Sequence, residues 1–255
     1  MNKEELIQVF EDTKNLCQNI PAPSTQKSIH TMSRDVESEK LTQKEGLVII
    51  EPLDTVTALI KYSKKENNNG IFKQNAVLNM ASSKRPGGGV QNGSVAQEEC
   101  LFRCSNLYHI QKEFYPIDSK EFIFSKNVSF VKNGNYERIE PILADVITMP
   151  AINLNKNHID NVIVKDSIVD YEERMIEKIN KIFDIAEENL NKNLILGAWG
   201  CGVFKNEPKV VAEFFNIVLE KKRFFFDKII FAIINDQNSV ANNYQIFLNT
   251  IKTKY

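Results

Sequence analysis

Apolar positions recur along the chain with two different periods. Residues 3–17, KEELIQVFEDTKNLC, place Leu6, Ile7, Val9, Phe10, Leu16 and Cys17 among charges, the spacing of an amphipathic helix. NIPAPSTQKSIHTMSRD follows and reads as a linker, with two prolines among small polar residues. LVII (47–50) reads as a buried strand. Asp54 is placed to cap a helix TVTALIKYSKK with Val56, Leu59, Ile60 and Ser63 on one face. ENNNG reads as a loop, and AVLNMA (76–81) as a short buried strand. A helix of about fifteen residues is expected from Ser94, with Cys100, Leu101, Cys104, Leu107 and Tyr108 on one side. FIFSKNVSFVKN and PILADVITMPAIN read as strands, and EERMIEKINKIFDIAEENLNKN as an amphipathic helix. The strand LILGA (194–198), the helix PKVVAEFFNIVLEKK with proline in its first turn, the strand KIIFAII (228–234) and the helix SVANNYQIFLNTI complete the series.

Short buried strands alternating with helices predict an α/β fold, a mixed, mostly parallel sheet covered on both faces. No second composition regime and no internal repeat appears. One domain over 46–255 is therefore expected, with an N-terminal helical extension over 1–45 packed on it. Its 255 residues, 42% hydrophobic, suffice for one large domain or two small ones.

A net charge of −1 and the lack of a long basic tract argue against a nucleic-acid surface. The four cysteines form no Cys-x-x-Cys pair and the three histidines lie far apart, which argues against zinc. Reduced, mostly buried cysteines fit the cytoplasm. The start is polar and acidic, unlike a signal peptide, and no apolar run approaches membrane-helix length.

Two loops stand out: Ser82–Gly93, containing KRPGGG, and Gly197–Phe204, GAWGCGVF. Each follows a buried strand and leads to a helix start. At that edge of an α/β sheet ligands bind, and backbone N–H groups with a helix dipole favour phosphate. Two facing loops could hold a diphosphate. GAWGCG has the outer frame of a P-loop, but Val203 and Phe204 stand where lysine and a hydroxyl residue belong. No G-x-G-x-x-G occurs. The plainer reading is two tight strand-to-helix turns with no ligand.

Ser94 and Gln97 have capping-box spacing, with Glu98 and Glu99 in the first turns. Acids there are stabilised by the helix dipole and need no further role. Alternatively one of them enters a cleft between the loops, where a carboxyl beside a sugar and phosphate suits acid–base work at a glycosidic carbon. Adjacent helical residues point about 100° apart, so the two are not expected to aim at one point.

LNMASSKRPGGGVQNGSVAQEECLFRCSNLY together with LGAWGCGVFKNEPKVVAEFF resembles the microbial-type poly(ADP-ribose) glycohydrolase family of macrodomains. VFEDTKNLC and FAIIND resemble that family's flanks, and the resemblance runs over roughly residues 8–250. It implies a three-layer α/β/α macrodomain that binds ADP-ribose. It implies that Gly87, Gly88, Gly89 and Val90, with Gly197, Ala198, Trp199, Gly200, Cys201, Gly202 and Val203, hold the diphosphate and distal ribose. Gln97 belongs to the Gln-Glu-Glu motif, whose last member, Glu99, is catalytic by the resemblance, while Glu98 contacts the ribose. Phe204 positions the distal ribose, and Asn79 matches a position near it. Asp54 sits where macrodomains often place an acid on the adenine. Lys84 and Arg85 before Pro86 depart from the pattern, where one basic or polar residue is usual, which leaves substrate preference open.

The implied reaction is metal-independent hydrolysis at C1″ of the distal ribose, with Glu99 assisting departure and activating water, and with no cofactor. The alternatives are a reader that binds ADP-ribose or a related signal nucleotide without cleaving it, and an interaction protein with empty loops. The expected partner is ADP-ribose or an ADP-ribosylated protein. Nucleic acid enters only as a modified substrate, no membrane is involved, and the chain is expected to act as a monomer.

Overall fold

The computed structural model describes residues 1–29, 47–63, 74–155, 168–221, 225–234 and 242–253. Seven strands of these residues form one sheet: β1 (Thr25–Ile29), β2 (Leu47–Glu51), β3 (Asn75–Met80), β4 (Glu121–Lys132), β5 (Arg138–Met149), β6 (Asn193–Leu196) and β7 (Lys228–Ala232). Their order is β1-β4-β5-β3-β6-β7-β2. β5, β3, β6, β7 and β2 run parallel, while β4 pairs antiparallel with β5 and β1. The expected mixed, mostly parallel sheet is thus present.

Among the described residues, seven α-helices cover it: α1 (Lys3–Cys17), α2 (Thr55–Tyr62), α3 (Gln97–Cys104), α4 (Leu107–Gln111), α5 (Ile168–Glu188), α6 (Pro208–Lys221) and α7 (Asn243–Thr250). Two apolar cores lie on opposite faces. One joins Val77, Val146 and Ile195 of the sheet to Phe10 of α1, Leu59 of α2, Phe102 of α3 and Leu107 of α4. The other joins Leu78, Ile147 and Phe231 to Phe183 of α5, Phe215 of α6 and Phe247 of α7. Alternation along each strand sends successive side chains to opposite layers, so both faces read as apolar. The result is three layers, α/β/α.

Several local expectations change. β1 lies inside the stretch read as a linker. Thr-Gln-Lys-Ser-Ile carries little apolar signal because an edge strand needs little. The parts of that stretch beyond Ile29 and the ENNNG loop lie outside the described residues. The helix expected from Ser94 begins at Gln97, its N-cap is Ala96, and no side chain caps it, so the capping box is not formed. That helix also breaks at Ser105, whose extended backbone bridges to Phe130 of β4, before α4 begins. Tertiary pairing there overrides an uninterrupted helical pattern.

α1 packs on the outer side of α3 and α4. Arg103 of α3, fully buried, donates through Nε to the Leu6 carbonyl at 3.1 Å and through Nη2 to the Ser94 carbonyl at 2.7 Å. A single guanidinium therefore joins the amino-terminal helix to the end of the first glycine loop. Among the described residues no helix is long and apolar enough to cross a membrane.

Candidate active site

The carboxyl ends of β3, β6, β7 and β2 open onto a cleft of about 820 Å³. The expected residues Asp54, Gln97, Ala198, Trp199, Gly200, Cys201, Gly202, Val203 and Phe204 line it. Asn79, Gly87, Gly88, Gly89, Val90, Glu98, Glu99 and Gly197 are not in its wall. Val90 is a core residue, and Trp199 is fully buried with its indole N–H on the Met149 carbonyl at 3.0 Å. Burial raises the pKa of the Cys201 thiol well above its ordinary value.

The first loop is a tight turn built inward. Its N–H groups at Gly88, Val90, Asn92, Gly93 and Ser94 donate to carbonyls of the same segment. The N–H of Gly89 donates to Oε1 of Glu99 at 2.9 Å. Gly88 explains the glycine run best. Its φ is +56°, and a β-carbon there would stand 2.8 Å from Oε1 of Glu99 and 3.0 Å from Oε2 of Glu98. A side chain would meet both carboxylates in a backbone conformation that L-residues rarely adopt. The two acids therefore do converge, contrary to the expectation from helix geometry. Their side chains are long enough for each to turn back from its own direction toward the loop.

The two carboxylates have different surroundings. Glu98, 4% exposed, accepts the Ser82 N–H at 2.7 Å, the Tyr115 hydroxyl at 2.8 Å and the Asn79 amide at 3.5 Å. Burial dominates these donors and pushes its carboxyl up to about 8, with the charge of Glu99 adding to the rise. Burial thus favours its protonated form. Burial and the charge of Glu98 in turn raise the Tyr115 hydroxyl well above its ordinary range. Asn79 is fully buried between Glu98 and Thr148, and its Oδ1 has no partner among the described residues.

Gln97 holds α3 to the end of β3. Its Oε1 accepts the Met80 N–H at 2.9 Å, and its Nε2 donates to the Leu78 carbonyl at 2.7 Å and to Thr55 Oγ1 at 3.2 Å. Asp54 caps α2, accepting the N–H groups of Val56 and Thr57, both at 2.9 Å. One side chain thus fixes the carboxylates to the sheet, and the other fixes the far wall of the cleft.

The second loop is organised around one side chain. Asn206 gathers it: Nδ2 donates to the carbonyls of Ile152 (2.8 Å) and Gly200 (3.0 Å), and Oδ1 accepts the Tyr171 hydroxyl at 2.7 Å. The backbone N–H groups of Gly202, Val203 and Phe204 donate to no protein acceptor among the described residues, and all three residues line the cleft. Consecutive unused N–H groups in a concavity favour an anion. A β-carbon on Gly202 would meet nothing within 4 Å, so the loop leaves room there. α6 begins just beyond, and Glu207 accepts the N–H groups of Lys209 and Val210. The helix end is thereby satisfied by protein.

Sequence reasoning missed Tyr115, Asn206 and Asn243. Asn243 opens α7, is buried and lines the cleft, and its Oδ1 has no partner among the described residues. A lone asparagine gives no sequence signal, and Tyr115 reaches Glu98 across seventeen positions. Among the described residues no group of three His, Cys, Asp or Glu is placed to bind a metal.

Residues 8–133 match the family model of the microbial-type PARG catalytic domain. The match takes in the first loop and Gln97-Glu98-Glu99 and ends before the second loop. Residues 8–133, which hold the first of the two loops, thus match the family that the resemblance names. The fold is that of poly(ADP-ribose) glycohydrolase from Thermomonospora curvata, solved bound to the inhibitor ADP-HPD, at TM-score 0.78 and 23% identity over 96% of this chain and 99% of that one. It is also that of poly(ADP-ribose) glycohydrolase from Deinococcus radiodurans, solved in complex with ADP-ribose, at TM-score 0.66 and 22% identity over 97% and 90%. No curated protein matches the sequence.

Proposed function

We propose that this chain is a poly(ADP-ribose) glycohydrolase-type hydrolase. It removes ADP-ribose from poly- or mono-ADP-ribosylated substrates by cleavage at C1″ of the distal ribose. The observation that carries this reading is the convergence of Glu98 and Glu99 on Gly88, beside a cleft whose other side offers the N–H groups of Gly202–Phe204. The family match and the two ligand-bound crystal structures support the same chemistry.

In this reading the diphosphate lies on the second loop and the distal ribose lies toward the first. Glu99, sharing a proton with the substrate, assists departure of the oxygen on C1″. The oxocarbenium-like centre is stabilised by the negative diphosphate, which the backbone N–H groups hold in place. The ionised Glu99 then takes a proton from the attacking water. Burial favours the protonated form of Glu98, which reduces the repulsion of two negative charges beside one loop. Phe204 and Asn79 hold the ribose, a positioning effect that contributes strongly to such rates. The reaction as drawn calls on no metal and no cofactor.

The test compares wild type with Glu99→Ala on defined ADP-ribose adducts, beside calorimetry with ADP-ribose. Release by wild type, with release lost and binding kept in the variant, supports the hydrolase. Binding without release by wild type supports a reader. Undiminished release by Glu99→Ala overturns the assignment.

A further inference from the structure

A chain of buried hydrogen bonds crosses one face of the sheet and ends at Glu98. Thr25 Oγ1 of β1 donates to Ser125 Oγ of β4 at 3.1 Å. Gln111 of α4 donates to the same Ser125 oxygen at 3.0 Å and accepts from Thr148 Oγ1 of β5 at 3.1 Å. Thr148 accepts from Asn79 Nδ2 of β3 at 3.3 Å, and that same nitrogen faces Glu98 Oε1 at 3.5 Å. Register brings these side chains together: Thr25 pairs with Ser125, Ile123 with Thr148, and Asn79 with Thr148. Ser125, Gln111, Thr148 and Asn79 are each fully buried.

The surroundings are apolar. Val77, Val128, Phe130 and Val146 occupy the same layer. Polar groups there are costly unless bonded, and an apolar seam would pack at least as well. Two amides lie in the chain, and amides do not pass protons, so it is not a proton path. What it can transmit is orientation. The single hydroxyl hydrogen of Thr148 is directed at Gln111 Oε1, so its oxygen can only accept from Asn79. The Asn79 amide must then present nitrogen, not oxygen, to Thr148 and to Glu98.

We propose that Thr148 and Gln111 are positioning residues of this site, which hold the Asn79 amide with its nitrogen turned toward Glu98. The role in turnover rests on the hydrolase reading above, whereas the orientation itself does not. Removing either residue frees the amide. In Thr148→Val the acceptor is lost. In Gln111→Leu the Thr148 hydrogen turns to Asn79 Oδ1 and reverses the amide. Either change withdraws a donor from Glu98 and favours its protonated form. The titratable groups facing Glu98 are Tyr115 and Glu99, and neither variant touches them.

The experiment is a ¹³C-carboxyl glutamate NMR titration of the full chain, with the Glu98 signal identified by its loss in Glu98→Gln. The Glu98 midpoint moves to higher pH by a few tenths of a unit or more in Thr148→Val and in Gln111→Leu, and stays in place in Thr148→Ser. The two positions are changed separately, so one variant with a native melting transition suffices. In the release assay the same variants lose kcat on the order of tenfold with little change in KM, because the freed Asn79 amide no longer orients the ribose, and Thr148→Ser restores it. A midpoint unmoved in a folded variant overturns the proposal. If wild type releases no ADP-ribose, the hydrolase reading fails and the titration still decides the orientation.

Discussion

The hydroxyl of Tyr115 donates to Oε1 of Glu98 at 2.8 Å, beneath the loop that carries Gly88. Donation to a carboxylate favours its charged form, so this contact opposes the burial that raises Glu98. Tyr115→Phe removes it. The Glu98 titration moves to higher pH, and the variant loses about 1 kcal/mol of stability near pH 9, where the lost bond served a charge. Thermal unfolding followed across pH checks both effects.

Glu98 also sets a pH dependence of folding. Its folded value of about 8 lies above the unfolded one. A raised carboxyl favours the folded state below the unfolded value, and that advantage fades as pH rises through about 8. Glu98→Gln, which cannot ionise, melts close to wild type at pH 4 and higher than wild type at pH 9, by about 3 °C or more. Equal melting temperatures of the two proteins at pH 9 would show that Glu98 titrates normally.

Gly88→Ala places a methyl 2.8 Å from Glu99 and 3.0 Å from Glu98 at a φ of +56°. Strain and collision together cost about 1–3 kcal/mol. Because the collision displaces both carboxylates, release of ADP-ribose falls by about a hundredfold. Denaturant unfolding and the release assay report the two effects separately.

Asn243→Ala removes a buried oxygen that has no partner among the described residues but lines the cleft. An acceptor left unpaired costs about 1–3 kcal/mol, so the variant is at least as stable as wild type without ligand. Its affinity for ADP-ribose falls by about tenfold. Calorimetry decides, and unchanged affinity would remove Asn243 from the site.

Much of this arrangement was legible in the residues. Strands β2–β7 and helices α1, α2, α5, α6 and α7 follow from periodicity because each buries an apolar face. The two loops are legible because Gly88 and its neighbours have few other reasons to be glycine. The rest depends on distant pairing. β1 has no apolar pattern, and Ser105 breaks a helix because of Phe130. Arg103 and Lys132 are charged yet buried because backbone carbonyls of α1 receive them, at Leu6 and Val9. The division of labour between the loops was hidden for the same reason. Both look alike in sequence, yet Gly88, Gly89 and Val90 of the first donate their N–H groups to protein, whereas Gly202, Val203 and Phe204 of the second do not.

The most direct measurement is a crystal structure of the protein with ADP-ribose. The diphosphate is expected on the N–H groups of Gly202, Val203 and Phe204, with C1″ about 3–4 Å from the carboxylate of Glu99. A nucleotide bound outside this cleft, or one whose C1″ lies beyond the reach of Glu99, would contradict it.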